Sequence, residues 1–482
     1  MPTPHEPDTT NTDTPVLVIG AGPVGLTLSL LLSQRGIDHL VVEKHPGLSQ
    51  HPKARGVSSS SMETFRRLGM ERQIREASLP PEHVAFFRGA TLSDPHAVRT
   101  QPSEPAELGT PSPGVICSQD VLETLLLAEA RARHPRGEAG IRFGTRLTAL
   151  ASHPEGPRAR LQRSDGGEET VVARTVVGCD GADSTVRHLA GLGLEGERGL
   201  DHFRSVRFDA PLGEHVRGRE SASYFLTGPD GGGFLAIDND HDWILQIRLD
   251  GPEGPEPASP EARIEDDARL AERIRRDAGV PDLPVRVQRT MTWRMDAALA
   301  EAFSGDQIAL AGDAAHQIPP TGGHGMNLGI ADAEALAWRL PGDRARLMSY
   351  AAERKRVARA VLDLSLDNAR RAYALDGNLL TRVELTGDTV LRDAEQAVTL
   401  RAGARLPHAW LADGTTSTLD LFGPGWALLA ETGDAPGAAA LRAAHPEAEV
   451  WPISGAMRGF GMTPSGAVLV RPDGVVAEVR AG

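Results

Sequence analysis

The stretch Val16-Leu17-Val18-Ile19-Gly20-Ala21-Gly22-Pro23-Val24-Gly25 decides the fold. Four apolar residues, the pattern of a strand buried on both faces, run into three glycines at GxGxxG spacing. A helical pattern from Leu26 to Arg35 follows, then Gly36, then the strand-like Asp38-His39-Leu40-Val41-Val42 ending in Glu43. Strand, tight turn, helix and strand within about 30 residues predict a dinucleotide-binding βαβ unit. Gly20 permits the turn, Gly22 lets the backbone approach a pyrophosphate, and Gly25 lets helix and strand pack closely. The helix start offers unpaired N–H groups and a partial positive charge to the phosphates. Glu43 stands where a carboxylate can accept hydrogen bonds from a ribose.

Composition narrows the rest. At 482 residues the chain has room for about three domains. Its 65 acidic against 51 basic residues give a net charge of −14, which disfavours nonspecific nucleic-acid binding. The two cysteines, Cys117 and Cys179, exclude a disulfide framework and a cysteine zinc site, and suit a reducing cytoplasm. No apolar run reaches 18 residues, so no membrane span is expected. Residues 1–14 are polar, lack an apolar core segment, and read as a disordered tail, not a signal peptide.

Further along, a loop at 45–54 leads to Arg55-Gly56-Val57 and a four-serine run that reads as a helix entry. Residues 99–114 read as a loose surface loop, and Val121 to Arg133 as a periodic helix with Leu122, Leu125, Leu126 and Ala130 on one face. Strand candidates lie at 141–150, 158–164 and 170–179. From about 195 to 294 the apolar period shifts to two, predicting an antiparallel sheet with a Pro-rich loop at 251–260. A strand ending in Gly312-Asp313, a second glycine-rich loop at 319–327 and long helices to about residue 400 follow. Residues 401–482 read as a small thioredoxin-like domain without a cysteine pair.

Three segments carry a resemblance: Gly20 to Gly25, Cys179-Asp180-Gly181-Ala182-Asp183-Ser184-Thr185-Val186-Arg187, and Leu310-Ala311-Gly312-Asp313-Ala314-Ala315-His316. Together they resemble the class A flavoprotein monooxygenases, the para-hydroxybenzoate hydroxylase group. His51 to Val57 and Gly322 to Asn327 fit the same group. With the cysteine-free tail, the chain is most similar to the aromatic polyketide hydroxylases, with phenol and resorcinol hydroxylases and rifampicin monooxygenase nearby. Relatives commonly carry Asn and Arg where this chain has Ser58 and Ser60.

The resemblance implies an α/β fold: a Rossmann-like FAD-binding domain (15–194 and 295–400) interleaved with an antiparallel-sheet substrate domain (195–294), then the thioredoxin-like domain (401–482). It implies non-covalent FAD held by Gly20, Gly22, Pro23, Val24, Gly25, Glu43 and Lys44. Arg55 would reach the diphosphate or the flavin region, and Gln119 the ribityl chain. Asp180 and Gly181, with Arg187, would serve FAD and NADPH together. Asp313 would hold the ribityl hydroxyls, the backbone N–H groups of Gly325, Met326 and Asn327 would meet the flavin pyrimidine, and Gly312, Pro320 and Gly323 would also bind the cofactor. NADPH or NADH would visit as transient reductant, O₂ would form a flavin C4a-hydroperoxide, and a polycyclic aromatic ring would take the oxygen. Tyr224 and His324 are the catalytic candidates, and Tyr224, Phe225, Phe234, Trp293 and His324 the substrate-lining ones. His316 reads as a packed structural histidine, and Asp313 also as a helix cap. Monomer and homodimer both stay open. So do Baeyer–Villiger insertion, antibiotic inactivation, a flavin reductase without oxygen transfer, and a FAD-binding module without catalysis.

Overall fold

The computed structural model describes residues 11–100, 109–228, 231–249, 260–373 and 400–480. Its centre is a parallel sheet ordered Ile308–Leu310, Glu168–Gly178, Asn11–Ile19, His39–Val42, Ile141–Arg142. A hairpin, Thr145–Ala151 and Arg158–Arg163, hangs from the start of Glu168–Gly178. Val16, Leu17, Val18, Leu40, Val41 and Val42 are fully buried, as a strand covered on both faces requires. The helix Pro23–Gln34 buries every residue from Gly25 to Leu32, so it is a core element and not an amphipathic surface helix. Ser29, inside it, bonds His39 Nε2 of the next strand at 2.7 Å.

The first strand is longer than its apolar run. Residues 11–14, expected in the tail, pair with Thr170–Ala173 because the neighbouring strand is eleven residues long and offers its backbone groups that far. Residues 1–10 lie outside the described residues, as does most of the expected helical stretch between Gly377 and Leu400.

The second sheet has eight strands, ordered His316–Gln317, Arg286–Ala300, Leu194–Asp209, Asp242–Leu249, Gly233–Ala236, Ser223–Leu226, Phe86–Gly89, Val98–Thr100. It therefore recruits two strands from before residue 101 and one from after 315, beyond the expected 195–294. Part of the expected surface loop is the strand Val98–Thr100, held by Phe86 to Arg88. The sequence reading also missed the helix Pro260–Ala278, whose Leu270, Ile274 and Ala278 repeat every fourth residue. That helix covers one face of the sheet, burying Val206, Phe208, Tyr224, Phe234, Trp243 and Leu245 in a shared core.

The C-terminal part forms a four-stranded sheet ordered Glu449–Pro452, Ala427–Ala430, Ala467–Val470, Val476–Arg480, with Pro436–Ala444 crossing between the two parallel strands. This is the thioredoxin-like arrangement, and the turn of its last hairpin contains Pro472-Asp473-Gly474.

Gly20 sits at φ +106°, and a Cβ there would overlap the Cys179 carbonyl. Gly36, at φ +67°, has open space around it. Gly20→Ala should therefore cost about 3 kcal/mol or more, through strain and overlap together, and Gly36→Ala only about 1. Denaturant melts of the two variants compare the costs directly; equal losses would contradict the packing argument.

Candidate active site

The three glycine-bearing segments meet at the C-terminal ends of the parallel strands, where open α/β sheets bind ligands. Cys179 N–H donates to the Ile19 carbonyl at 2.7 Å and Ala311 N–H to the Gly178 carbonyl at 2.9 Å, which aligns the strand ends. A Cβ on Gly25 would overlap the Gly20 carbonyl. A Cβ on Gly329 would come within 2.5 Å of Val24 Cγ2 and 3.0 Å of Gly312 Cα. Val24 therefore has both the Gly-Asp turn and the helix His324–Ala337 against it. Arg187, 2 % exposed, donates to the Ala314 and Ala182 carbonyls at 3.0 and 2.8 Å. It is a buried tie between the second and third segments.

Several expected cofactor residues face this junction. A Cβ on Gly22 would meet nothing within 4 Å, so the helix entry is open where a pyrophosphate would approach. Pro23 occupies the first helical turn, where its missing N–H costs nothing. Glu43 accepts from Ala21 N–H at 3.0 Å and His45 N–H at 2.9 Å, which fixes the carboxylate beside the turn. Lys44 is exposed next to it. Asp313 makes no hydrogen bond among the described residues, and so does not cap a helix. Its side chain reaches solvent, yet protein rings it closely enough that burial raises its carboxyl pKa, against the pull of His316 and Lys53. A carboxylate that reaches solvent with its acceptors free suits a polyol chain. Gly325 borders it, with Asp313 Oδ1 3.9 Å from where a Cβ would stand. Gly323 starts the next helix at φ +68°, Met326 is half-buried beside it, and Pro320 is exposed on the same loop.

Other expected contacts are already engaged. Asp180 accepts from Ser184 Oγ at 2.5 Å and Val186 N–H at 3.0 Å, capping its own turn, while Gly181, at φ +79°, has open space. Gln119 holds Ala54 N–H at 3.0 Å and Glu123 Oε1 at 2.7 Å. Burial pushes the Glu123 carboxyl up to about 7. The Asn327 side chain accepts from Ser58 N–H at 2.9 Å and Ser61 Oγ at 2.8 Å, and donates to the Gly56 and Gly323 carbonyls. Only its backbone is left for a ligand. The serines that replace the expected Asn and Arg are thus Asn327's partners or neighbours. His316 is structural: it bonds Asp332 at 2.7 Å, and Asp332 also binds Arg354 and Gly312 N–H. Burial alone would raise the Asp332 carboxyl, but Arg354 and His316 hold it below its ordinary value.

The substrate-side expectations divide by strand alternation. Adjacent residues of a strand point to opposite faces, so Tyr224 and Phe225 cannot share one. Tyr224 and its register partner Phe234 lie beneath the helix Pro260–Ala278, fully buried. The Tyr224 hydroxyl donates to Asn239 Oδ1 at 2.7 Å and accepts from Ser221 N–H at 2.8 Å, and burial raises its pKa far above that of a free phenol. It can be neither base nor substrate contact. His324 is 3 % exposed, with its ring over Gly322, and not an exposed loop histidine.

Phe225 and Trp293 lie on the other, half-exposed face, with Phe203 stacked on Trp293 at 4.4 Å. Sequence reasoning missed the polar groups of that face. Trp293 Nε1 donates to Gln246 Oε1 at 3.4 Å, Gln246 Nε2 to Ser205 Oγ at 3.0 Å, and Ser205 Oγ lies 2.8 Å from His51 Nε2. The one signal was Gln246 interrupting the apolar run from Trp243 to Ile247. Arg55 reaches the same sheet, donating to the Ala222 and Ala236 carbonyls and Ser223 Oγ at 2.8, 2.7 and 3.0 Å. Burial lowers its pKa to about 10, which still leaves it cationic at neutral pH.

Comparison with known proteins agrees with this geometry. Residues 13–365 match the family model described as FAD binding domain, and residues 399–482 the model described as aromatic-ring hydroxylase, C-terminal. The chain belongs to the FAD-dependent aromatic-ring hydroxylases. It is 34% identical to the tetracenomycin A2 monooxygenase-dioxygenase of Streptomyces glaucescens, covering 96% of this chain and 93% of that one. It is also 34% identical to an aklavinone 12-hydroxylase of Streptomyces peucetius, over 89% and 94%. The crystal structure of the flavin-dependent monooxygenase PieE, in complex with FAD and substrate, superposes with a TM-score of 0.83 at 26% identity, over 99% and 97% of the chains. This hydroxylase therefore uses FAD, and its open helix entry, glycine cradle and free Asp313 fit that group. Among the described residues no cluster suits a metal ion, and no helix is long and apolar enough to cross a membrane.

Asp313→Ala removes a charged acceptor and should weaken FAD binding by roughly 100-fold, two charge-assisted hydrogen bonds' worth. Titrating the apoprotein with FAD by fluorescence measures this, and a variant that purifies fully yellow would refute it. His51 offers a pH test. Burial, aided by Arg207 and Arg289, pulls its pKa to about 4. Between that value and the ordinary 6.5 the unfolded chain binds more protons. Acidification through this window should remove stability on the order of 2 kcal/mol. His51→Gln should flatten that part of the melting-temperature profile.

Proposed function

We propose that this hydroxylase adds oxygen to a polycyclic phenolic ring bound between the open face of its antiparallel sheet and a flavin lying across the Gly22–Asp313–Gly325 cleft. Reducing equivalents come from NADPH or NADH bound transiently, and oxygen from O₂. The observation that carries this reading is the asymmetry of the sheet. One face is sealed by a helix; the other keeps a half-exposed aromatic stack with a hydrogen-bonded polar row beside it, directly against the loop 51–57.

Bound FAD supplies the redox chemistry, while the chain binds, orients and excludes water. Phe203 and Trp293 offer a flat apolar wall for a fused ring system, with Phe225 and Leu235 further along the face. Gln246 and Ser205 offer the donors and acceptors that fix a ring's hydroxyl or carbonyl groups. Ser205 Oγ accepts from Gln246 and shares a second hydrogen bond with His51 Nε2, in either direction according to the imidazole tautomer, which leaves Nδ1 as the ring's other polar atom. That nitrogen is buried with no partner among the described residues, and an unmet polar atom of this kind favours a hydrogen-bonding group on a ligand. Arg55 keeps a positive charge where cofactor and substrate meet, which stabilises a phenolate and so an electron-rich ring. With Tyr224 sealed away, we assign no side chain as base; the acidity of such phenols and the Arg55 charge serve instead. The names of the relatives, a tetracenomycin A2 monooxygenase-dioxygenase and an aklavinone 12-hydroxylase, support a substrate of the polyketide type.

The direct test is a panel of polycyclic phenols. Some should stimulate NADPH or NADH oxidation and yield a product heavier by one oxygen. Fragmentation that retains every ring supports hydroxylation, whereas a lactone would make the reaction a Baeyer–Villiger insertion. Gln246→Leu removes one polar anchor, worth about 1 kcal/mol. It should raise KM about fivefold and divert more oxygen to H₂O₂, with kcat changed much less. An unaltered KM and coupling would take Gln246 out of the site.

A further inference from the structure

The C-terminal domain carries no thiol, and its sheet is distant in sequence from every cofactor loop, yet one of its arginines enters the FAD domain at a buried position. Arg405 pairs with Glu63 at 2.7 Å and lies 3.8 Å from Glu334. Arg67 pairs with Glu334 from the FAD-domain side. The side chains of Glu63, Glu334, Arg67 and Arg405 are 1, 6, 9 and 11 % exposed. Two carboxylates thus face two guanidinium groups in a nearly dry site. One of the four charges comes from the C-terminal domain.

The two carboxylates sit on the helices that begin at the cofactor junction. Glu63 belongs to Ser59–Arg67, capped by Ser58, and Glu334 to His324–Ala337. At their N-terminal ends these helices are joined by Asn327, through Ser58, Ser61 and Gly56. Glu334 stands seven residues, about two turns, past Asn327 on the same helix face. The helices are therefore fastened twice: by Asn327 at the end facing the cleft, and by the charge cluster below it. Without Arg405 the lower fastening would hold two buried carboxylates and one cation, and the excess negative charge would push the helices apart.

We propose that Arg405 is a positioning residue through which the C-terminal domain sets the spacing of these two helices, and so the geometry of their entry segments, 56–61 and 322–329, beside the FAD site. A second set of inter-domain contacts supplies the control. Arg471 binds Glu353 at 2.8 and 3.0 Å, and Trp338 donates to Asp473 at 2.9 Å, both past the C-terminal end of His324–Ala337. Cutting that set loosens the domain interface without touching the carboxylate pair.

The test uses full-length apoprotein titrated with FAD, with hydrogen exchange of the backbone at 56–61 and 324–329 as a second readout. Arg405→Ala should weaken FAD binding at least tenfold and speed exchange in both helix-entry segments. Arg405→Lys should recover most of the affinity. Arg471→Ala should change affinity less than twofold, although it too removes an inter-domain ion pair, a half-buried one. Should Arg405→Ala not fold, Arg405→Gln decides by the same two readouts. Wild-type affinity and exchange in the Arg405 variants would overturn the proposal. So would an equal loss in Arg471→Ala, which would reduce the effect to domain docking in general. The inference rests on FAD occupying the cleft, and failure of that reading would show separately, as wild-type apoprotein that does not bind FAD.

Discussion

Close approach of backbone to backbone around Gly20 is the constraint on which the rest of the structure depends. The first turn, the Cys179 strand end and the Gly312 turn are packed so tightly that side chains at Gly20, Gly25 or Gly329 would overlap main-chain or Val24 atoms. Packing this close is what brings segments separated by well over a hundred residues into one pocket. Hydrogen bonds then set the strand ends in line, and Arg187 ties the second segment to the third. A cofactor bound here is held by backbone geometry first and by side chains second. That ordering explains why so few polar side chains at the junction remain free, with Asp313 the clear case.

Around this centre, buried charge does structural work that the sequence motifs do not advertise. Asp332 gathers His316, Arg354 and the Gly312 amide beneath the Gly-Asp turn. Glu63, Glu334, Arg67 and Arg405 form a second cluster, and Arg339, Glu353, Arg471 and Asp473 a third. Each charge is costly to bury alone and tolerable only with its partners, so each cluster couples the elements that contribute to it. Two of the three join the C-terminal domain to the FAD domain, and only the one with Arg405 lies on the helices that begin at the glycine junction.

The eight-stranded sheet, antiparallel except where Ser223–Leu226 meets Phe86–Gly89, shows how one covering element redistributes roles. Aromatic residues occur on both faces, and nothing in their identity separates core from cavity. The helix Pro260–Ala278 makes the choice by covering the face with Tyr224, Phe234 and Trp243. What remains open is the face with Phe203, Phe225 and Trp293, and with the row from His51 to Gln246.

The sequence by itself determined the βαβ unit, the family and FAD, because glycine spacing and strand–helix periodicity are local and survive without coordinates. It also determined the cysteine-free C-terminal sheet, whose turn chemistry is local too. The tertiary structure alone decided which expected side chains were free to bind. Gln119 and Asp180 looked like ligands by position, but their polar atoms are engaged by Ala54 and Ser184, partners that no spacing rule supplies. It also decided which face of the sheet is left uncovered, and that Arg405 reaches Glu63 across more than three hundred residues. Such pairings depend on where distant elements come to rest, and hydrogen bonds and buried charges, being short-ranged and directional, exist only once they have done so.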